Sequence, residues 1–312
     1  MTGQGGNLGL RITRAALAVV ALSTLSTVSA ISAQSPSPKF DSNRAWEHLR
    51  QLVSIGPRPS GSAAIEQTRQ YIKNQLTAVG VAAVEQKWVD DTPAGRLPMV
   101  NLMATVPGAR TERIVIAGHY DTKRFTRFRF VGANDGGSSA AFLIELARVL
   151  KTRPNAFTIE LLFLDGEEAV NEVWQGTDNT YGSRHYVDVA RRDGSLARLK
   201  ALVLVDMIGD RDLRIKRETN STPWLNDLIW DAARRQKLDS TFVASSTPIE
   251  DDHLPFIKAG VPSVDIIDLE YEAWHTAGDT LDAVSARSLQ SVGDVFLTAL
   301  PAIEARLARQ GH

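Results

Sequence analysis

The chain has 312 residues, enough for one large α/β domain or two small ones, and its 43% hydrophobic and 23% charged content allows a sizeable core. Lysine plus arginine (35) nearly balance aspartate plus glutamate (36), and the cations are scattered, so neither nucleic acid nor an anionic membrane has an electrostatic claim as partner. There is no cysteine, which excludes disulfides and thiol catalysis.

Arg11 and Arg14 precede an apolar run from Ala15 to Leu25, followed by small residues ending at Val28-Ser29-Ala30. A basic start, a short apolar middle and an A-x-A-like end predict a secretory signal peptide over residues 1–33, with an apolar part too short to span a bilayer comfortably. The expected destination is secreted or periplasmic, and cysteine-free export fits a bacterial periplasm or exterior. Residues 34–40, containing Gln34-Ser35-Pro36-Ser37-Pro38, read as a linker, and residues 41–312 as one domain.

Helical periodicity begins near Asp41, with Trp46, Leu49, Leu52 and Val53 on one face and Asp41 or Ser42 as N-cap. Gly56-Pro57-Arg58-Pro59-Ser60-Gly61 breaks it. A second helix carries Ile65, Tyr71, Ile72, Leu76 and Val79 and stops at Gly80. Apolar runs at Arg113 to Ala117, Thr158 to Leu164, Ala201 to Val205 and Ser263 to Ile267 then predict strands. Between and after them, helices are expected over Gly137 to Leu150, Pro223 to Gln236 and Ala286 to Leu307. Apolar strands separated by helices imply an α/β fold, a mostly parallel sheet covered on both faces.

Each of those strands runs into residues able to bind metal or move protons. The first ends in Gly118-His119-Tyr120-Asp121, the second in Asp165-Gly166-Glu167-Glu168, the third in Asp206-Met207-Ile208-Gly209-Asp210, and the fourth is followed by Trp274-His275-Thr276. Ligand crevices of open α/β sheets lie beyond the carboxyl ends of the strands, so these segments converge, and Asp135, before the helix after the first strand, can join them. Singly, each such residue is more often a helix cap, a solvated turn or a hydrogen-bonded structural histidine; His48 and His185, inside amphipathic helical stretches, fit that description, and His312 is terminal. Convergence favours a metal site, and imidazole with carboxylate suits zinc. Of Glu167 and Glu168, one is expected to ligate metal and the other to shuttle protons. In Glu250-Asp251-Asp252-His253, Asp252 or His253 could orient a neighbouring group.

Together these motifs resemble the zinc-dependent glutaminyl cyclases, a family related to the di-zinc aminopeptidases, from about Ile55 to the C-terminal helix. The resemblance implies a single three-layer domain with a central mixed, mostly parallel sheet flanked by helices. It implies one zinc held by Asp135, Glu168 and His275, with Glu167 as general acid/base. Asp206 and Asp251 would form a hydrogen-bonded acidic pair, and Trp174 and Trp274 would wall the substrate pocket. The implied substrate is a peptide or protein with N-terminal glutamine; the sequence leaves the oligomeric state open, with a monomer favoured. His119 would ligate only in a two-zinc site, with Asp206, as in the alternative reading of an aminopeptidase; a binding module without catalysis is a third. Asp265 stands where animal cyclases have His, and Glu250 replaces an amide.

Overall fold

The computed structural model describes residues 1–7 and 39–310. The apolar run and cleavage motif of the expected signal peptide, the linker up to Pro38, and His312 lie outside the described residues. The chain divides into two units, Met1–Pro36 and Ser37–His312. Of the first, only an irregular, exposed stretch over residues 1–7 is described.

In chain order the second unit comprises α1 (Ser42–Ile55), α2 (Ala63–Ala78), β1 (Ala83–Thr92), β2 (Gly95–Val106), β3 (Arg110–His119), α3 (Gly137–Lys151), β4 (Phe157–Leu164), α4 (Tyr181–Arg192), β5 (Leu199–Asp206), β6 (Ile215–Glu218), α5 (Pro223–Arg235), β7 (Phe242–Thr247), α6 (His253–Lys258), β8 (Ser263–Ile267) and α7 (Ala286–Gln310). Side-chain caps open the first two helices: Asp41 accepts from the Asn43 N–H at 3.0 Å and Ser62 from the Ile65 N–H at 3.2 Å. Gly80, at φ +74°, ends the turn after α2, where the Val81 N–H bonds back to the Leu76 carbonyl. Phe40, placed in the linker by sequence, belongs to the core: it is 3% exposed and its ring lies 5.1 Å from that of Phe142. A phenylalanine beside a helix cap gains more by burial than a linker position allows.

Six strands form the main sheet in the order β1-β2-β4-β3-β5-β8. The β1–β2 and β2–β4 pairs are antiparallel, and β4, β3, β5 and β8 run parallel. Alternate residues of the parallel strands enter two cores. Ile114 and Ile116, Ile159 and Leu161, and Val203 and Val205 face a larger core shared with α1, α2, α3, α5 and α7. Val115 and Ala117, Leu162 and Leu164, and Leu202 and Leu204 face a smaller one closed by α4 and α6. This double burial is why the four strands read as continuous apolar runs. β6 and β7 pair separately in a two-stranded parallel sheet.

Candidate active site and metal centre

The parallel strands deliver their polar ends to one edge. His119 is the last residue of β3, Asp206 the last of β5, and Glu167 and Glu168 follow β4. Asp135 lies in the turn leading to α3. Two glycines make this approach sterically feasible. A Cβ on Gly118 would sit 2.6 Å from Ser139 Cβ and 2.8 Å from the Val205 carbonyl oxygen. Gly136 adopts φ +73°, and a Cβ there would meet the Asp121 carbonyl at 2.3 Å. With α3 seated this closely, Ser139 Oγ donates to the His119 carbonyl at 2.7 Å.

Two groups of donors result, each with its ligand atoms within 4.8 Å of one another: Asp135, Glu168 and His275, and His119, Asp135 and Asp206. His275 Nε2 lies 3.3 Å from Asp135 Oδ2 and 3.2 Å from Glu168 Oε1. His119 Nε2 lies 3.2 Å from Asp135 Oδ1 and 3.1 Å from Asp206 Oδ1. Asp135 is therefore shared. Asp135 Oδ2 and Glu168 Oε2 are buried and accept no well-formed hydrogen bond among the described residues, their nearest cations being His275 Nε2 at 3.3 Å and Lys123 Nζ at 3.6 Å. Asp135, Glu168 and Asp206 converge here with only two imidazoles, a crowding of buried carboxylates that a further cation relieves, so the site fits a metal with N/O preference such as zinc.

The same crowding sets the proton affinities. Burial pushes Glu167 well above the ordinary carboxylate range; His119 opposes this, and Glu168, Asp251 and Asp252 add to it. Burial, then Asp206 and Asp252, likewise raise Asp251 strongly, and burial raises Glu168 to about 6. Burial disfavours the His275 cation, but Asp135 and Glu168 outweigh it and lift the ring to about 9. A bound cation would supply that positive charge instead, leaving the imidazole neutral to ligate.

Glu167, Trp174, Trp274, Asp206, Glu250 and Asp251 line a cavity of about 510 Å³ together with the Asp135–Glu168–His275 group. Its outer wall is apolar and open, with Val173 68% and Trp274 43% exposed. Met207 (φ 44°) and His275 (φ 54°), both lining the cavity, have left-handed backbone, as does Thr180 (φ 45°), whose N–H bonds the Glu167 carbonyl. Such strain gathers at sites where surrounding structure over-determines the chain.

All the sequence-predicted site residues come together. Asp206 and Asp251, expected as an acidic pair, both line the cavity, and Asp206 is the first of the charges that raise Asp251. Asp206 Oδ1 takes the Met207 N–H at 2.8 Å and faces His119, while Asp251 Oδ2 has no partner. Two neighbouring carboxyl groups bond each other through a shared proton, which the raised proton affinity of Asp251 favours. Asp252 Oδ1 accepts from Ser183 Oγ. His253 is fully buried, with Nε2 3.1 Å from Glu218 Oε2 and Nδ1 3.7 Å from Asp265 Oδ2. His48 bonds the Tyr71 hydroxyl at 2.8 Å and His185 stacks on Trp88, so both are structural.

Sequence reading missed the residues that brace the donors. Asp121 accepts from the backbone N–H groups of Glu167 and Glu168 at 3.3 and 3.4 Å. Asp279 accepts from those of Asn134 and Asp135 at 2.7 and 3.1 Å and from the Tyr271 hydroxyl at 2.8 Å. Lys123, 1% exposed, donates to the carbonyls of Ala169 and Asn171 and lies 3.6 Å from Glu168 Oε2. Arg58, fully buried, donates to the carbonyls of Tyr120, Val131 and Gly132 at 2.8, 2.6 and 2.9 Å. The available signals were slight: acids two and four residues beyond His119 and His275, and a cation between two prolines.

Residues 101–300 match the model of peptidase family M28. A solved glutaminyl cyclase from an Acidobacteriales bacterium is 41% identical, with TM-score 0.83 over 88% of this chain and 98% of that one. The glutaminyl-peptide cyclotransferase of Drosophila melanogaster is 30% identical over 76% of this chain and 75% of its own. A structure described as a leucine aminopeptidase precursor from Bacteroides thetaiotaomicron shares the fold at TM-score 0.78 and 24% identity, over 85% of this chain and 98% of that one.

Proposed function

The chain belongs to peptidase family M28 and, within it, to the glutaminyl-peptide cyclotransferases, and from that premise we propose how its own residues carry the reaction. The enzyme converts N-terminal glutamine of peptides or proteins to pyroglutamate with release of ammonia. Membership implies a metal, zinc, and the convergence of Asp135, Glu168 and His275, with ligand atoms within 4.8 Å of one another, is the observation that supports its assignment to these residues. Asp135, Glu168 and His275 would hold one ion. Bound there, zinc would supply Lewis-acid polarisation of the side-chain amide carbonyl.

The remaining work belongs to the protein. Trp174 and Trp274 flank the glutamine side chain and offer it apolar surface. The substrate's α-amine attacks the side-chain amide carbon; that C–N bond forms, the bond to the amide nitrogen breaks, and no water is consumed. Since both reacting groups sit on one residue, holding the folded conformer is much of the task. Glu167 takes the proton the amine loses and passes it to the departing nitrogen, so ammonia leaves neutral. Its raised proton affinity suits it to hold a proton between the two steps. Asp206 and Asp251, on the same cavity wall, accept hydrogen bonds from the leaving amide.

A second reading has one observation in its favour. The His119–Asp135–Asp206 group is complete, as a two-ion aminopeptidase needs. Purified mature enzyme assayed on a glutaminyl peptide and on a leucyl amide separates them. We expect ammonia and a loss of about 17 Da from the first, both abolished by chelation and restored by zinc, and no hydrolysis of the second. Hydrolysis of the leucyl amide alone, with two metals per chain, would reverse the assignment.

We also propose, from the sequence alone, that residues 1–33 direct export and are removed, leaving the enzyme secreted or periplasmic. N-terminal sequencing of the exported protein should find a start near residue 34; an uncut, cytoplasmic chain would refute this.

A further inference from the structure

His275 is held unlike the donors around it. Its Nε2 faces Asp135 and Glu168, while its Nδ1 makes no hydrogen bond to a protein group among the described residues and the side chain is 20% exposed. A metal-ligating histidine ordinarily donates its second ring N–H to a carboxylate, a carbonyl or water, which fixes the ring's orientation. Here no protein group takes that N–H, and aromatic rings pack around the imidazole. Trp274 stacks on the imidazole with centroids 4.4 Å apart. Phe125 and Phe130 present to it nearly perpendicular rings at 5.6 and 5.9 Å, with interplanar angles of 74° and 88°. The two phenylalanines also meet each other edge to face at 5.3 Å, and Phe128 stacks on Phe125 at 4.5 Å.

The segment bearing these rings has no regular secondary structure, yet it is pinned at both ends. Buried Lys123 anchors its start on the Ala169 and Asn171 carbonyls, and Arg58 grips its end at Val131 and Gly132. Neither Phe125 nor Phe130 lines the substrate cavity. Whatever they do for catalysis passes through His275, whose backbone is itself in the left-handed region. Perpendicular ring contacts are directional, so they can select one rotation of an imidazole as a hydrogen bond would.

We propose that Phe125, together with Phe130, is a positioning residue that fixes the His275 ring for metal binding by ring packing, where no protein group bonds its Nδ1. This rests on the reading of Asp135, Glu168 and His275 as the ligands. Phe125 is the residue to change, because it is half-buried whereas Phe130 is 1% exposed.

The test is zinc competition against a chromophoric chelator on metal-depleted full mature enzyme, with melting temperature followed alongside. Phe125→Ala should bind zinc about 10–100-fold more weakly, the usual effect of losing an outer-sphere partner. Phe125→Leu, which keeps apolar bulk and guards against a folding failure, should be similarly weak, and Phe125→Tyr should stay near wild type. Activity of the weak variants should return in excess zinc, with KM for the peptide unchanged. Zinc affinity at the wild-type level in Phe125→Ala and Phe125→Leu, with only the melting temperature lowered, would reduce Phe125 to packing and overturn the proposal. His275→Ala distinguishes the two layers: if it too binds zinc like wild type, the ligand set is wrong, whereas its loss of zinc beside an unaffected Phe125→Ala defeats the positioning role alone.

Discussion

Glu167→Gln should lower kcat on a glutaminyl peptide by roughly 10²–10⁴-fold, the range for removing a positioned general acid/base, while zinc content stays at the wild-type level. The substitution preserves shape and removes only proton-accepting capacity. The backbone around it is fixed by bonds the side chain does not make: its N–H reaches Asp121 at 3.3 Å and its carbonyl accepts from the Thr180 N–H at 2.8 Å. Glu167 belongs to neither donor group, so metal binding should not depend on it. Its nearest cation is His119, with Nδ1 3.8 Å from Oε2. Steady-state kinetics with metal analysis on the same preparation checks both halves. A variant keeping more than about a tenth of wild-type kcat would move the proton-transfer role elsewhere on the cavity wall.

Arg58→Met should destabilise the domain by about 3–5 kcal/mol, because three buried carbonyls each lose a charged donor at about 1–3 kcal/mol, partly refilled by water. Burial lowers the Arg58 guanidinium to about 10, with Asp279, Asp121 and Asp135 resisting the change, so it remains charged at neutral pH. The loss is expected to reach the metal as well. Val131 and Gly132 lead directly into Asp135, and the Arg58 backbone N–H bonds Thr122, next to Asp121. Arg58→Lys should recover only part of the stability, since one ammonium cannot span three carbonyls in the geometry of a planar fork. Urea midpoints and zinc affinities of the two variants measure this; wild-type values for Arg58→Met would show the buried arginine to be dispensable.

Those residues mark where sequence reading stops. The parallel strands were legible because burial on both faces leaves them apolar throughout, and β8 has the bounds its apolar run predicted. The β1–β2 hairpin was not seen. Its first strand carries Glu85, Lys87, Asp90 and Asp91 on an edge where no residue is fully buried, which resembles a polar loop. Acids and histidines at strand ends could be read as a site because their segments converge by topology alone. The bracing residues could not, since Arg58 and Lys123 belong to types normally found at the surface and reveal themselves only when their carbonyl partners are placed in space. Asp121 and Asp279 are hidden for the same reason: a carboxylate that accepts backbone N–H groups looks in sequence like any turn aspartate.

The spread of the donors along the chain also bears on how the protein becomes stable. Glu168 and His275 meet across 107 residues, and His119 and Asp206 across 87. No hairpin, single βαβ unit or early fragment contains a complete set, so a metal ion discriminates sharply between the finished sheet and everything that precedes it. Its binding energy accrues only to the native state, as RT ln(1 + [L]/Kd). In a chain without disulfides, a metal held by these donors would thus be a different kind of late fastener, one that engages only after β3, β4, β5 and the loop beyond β8 have all arrived.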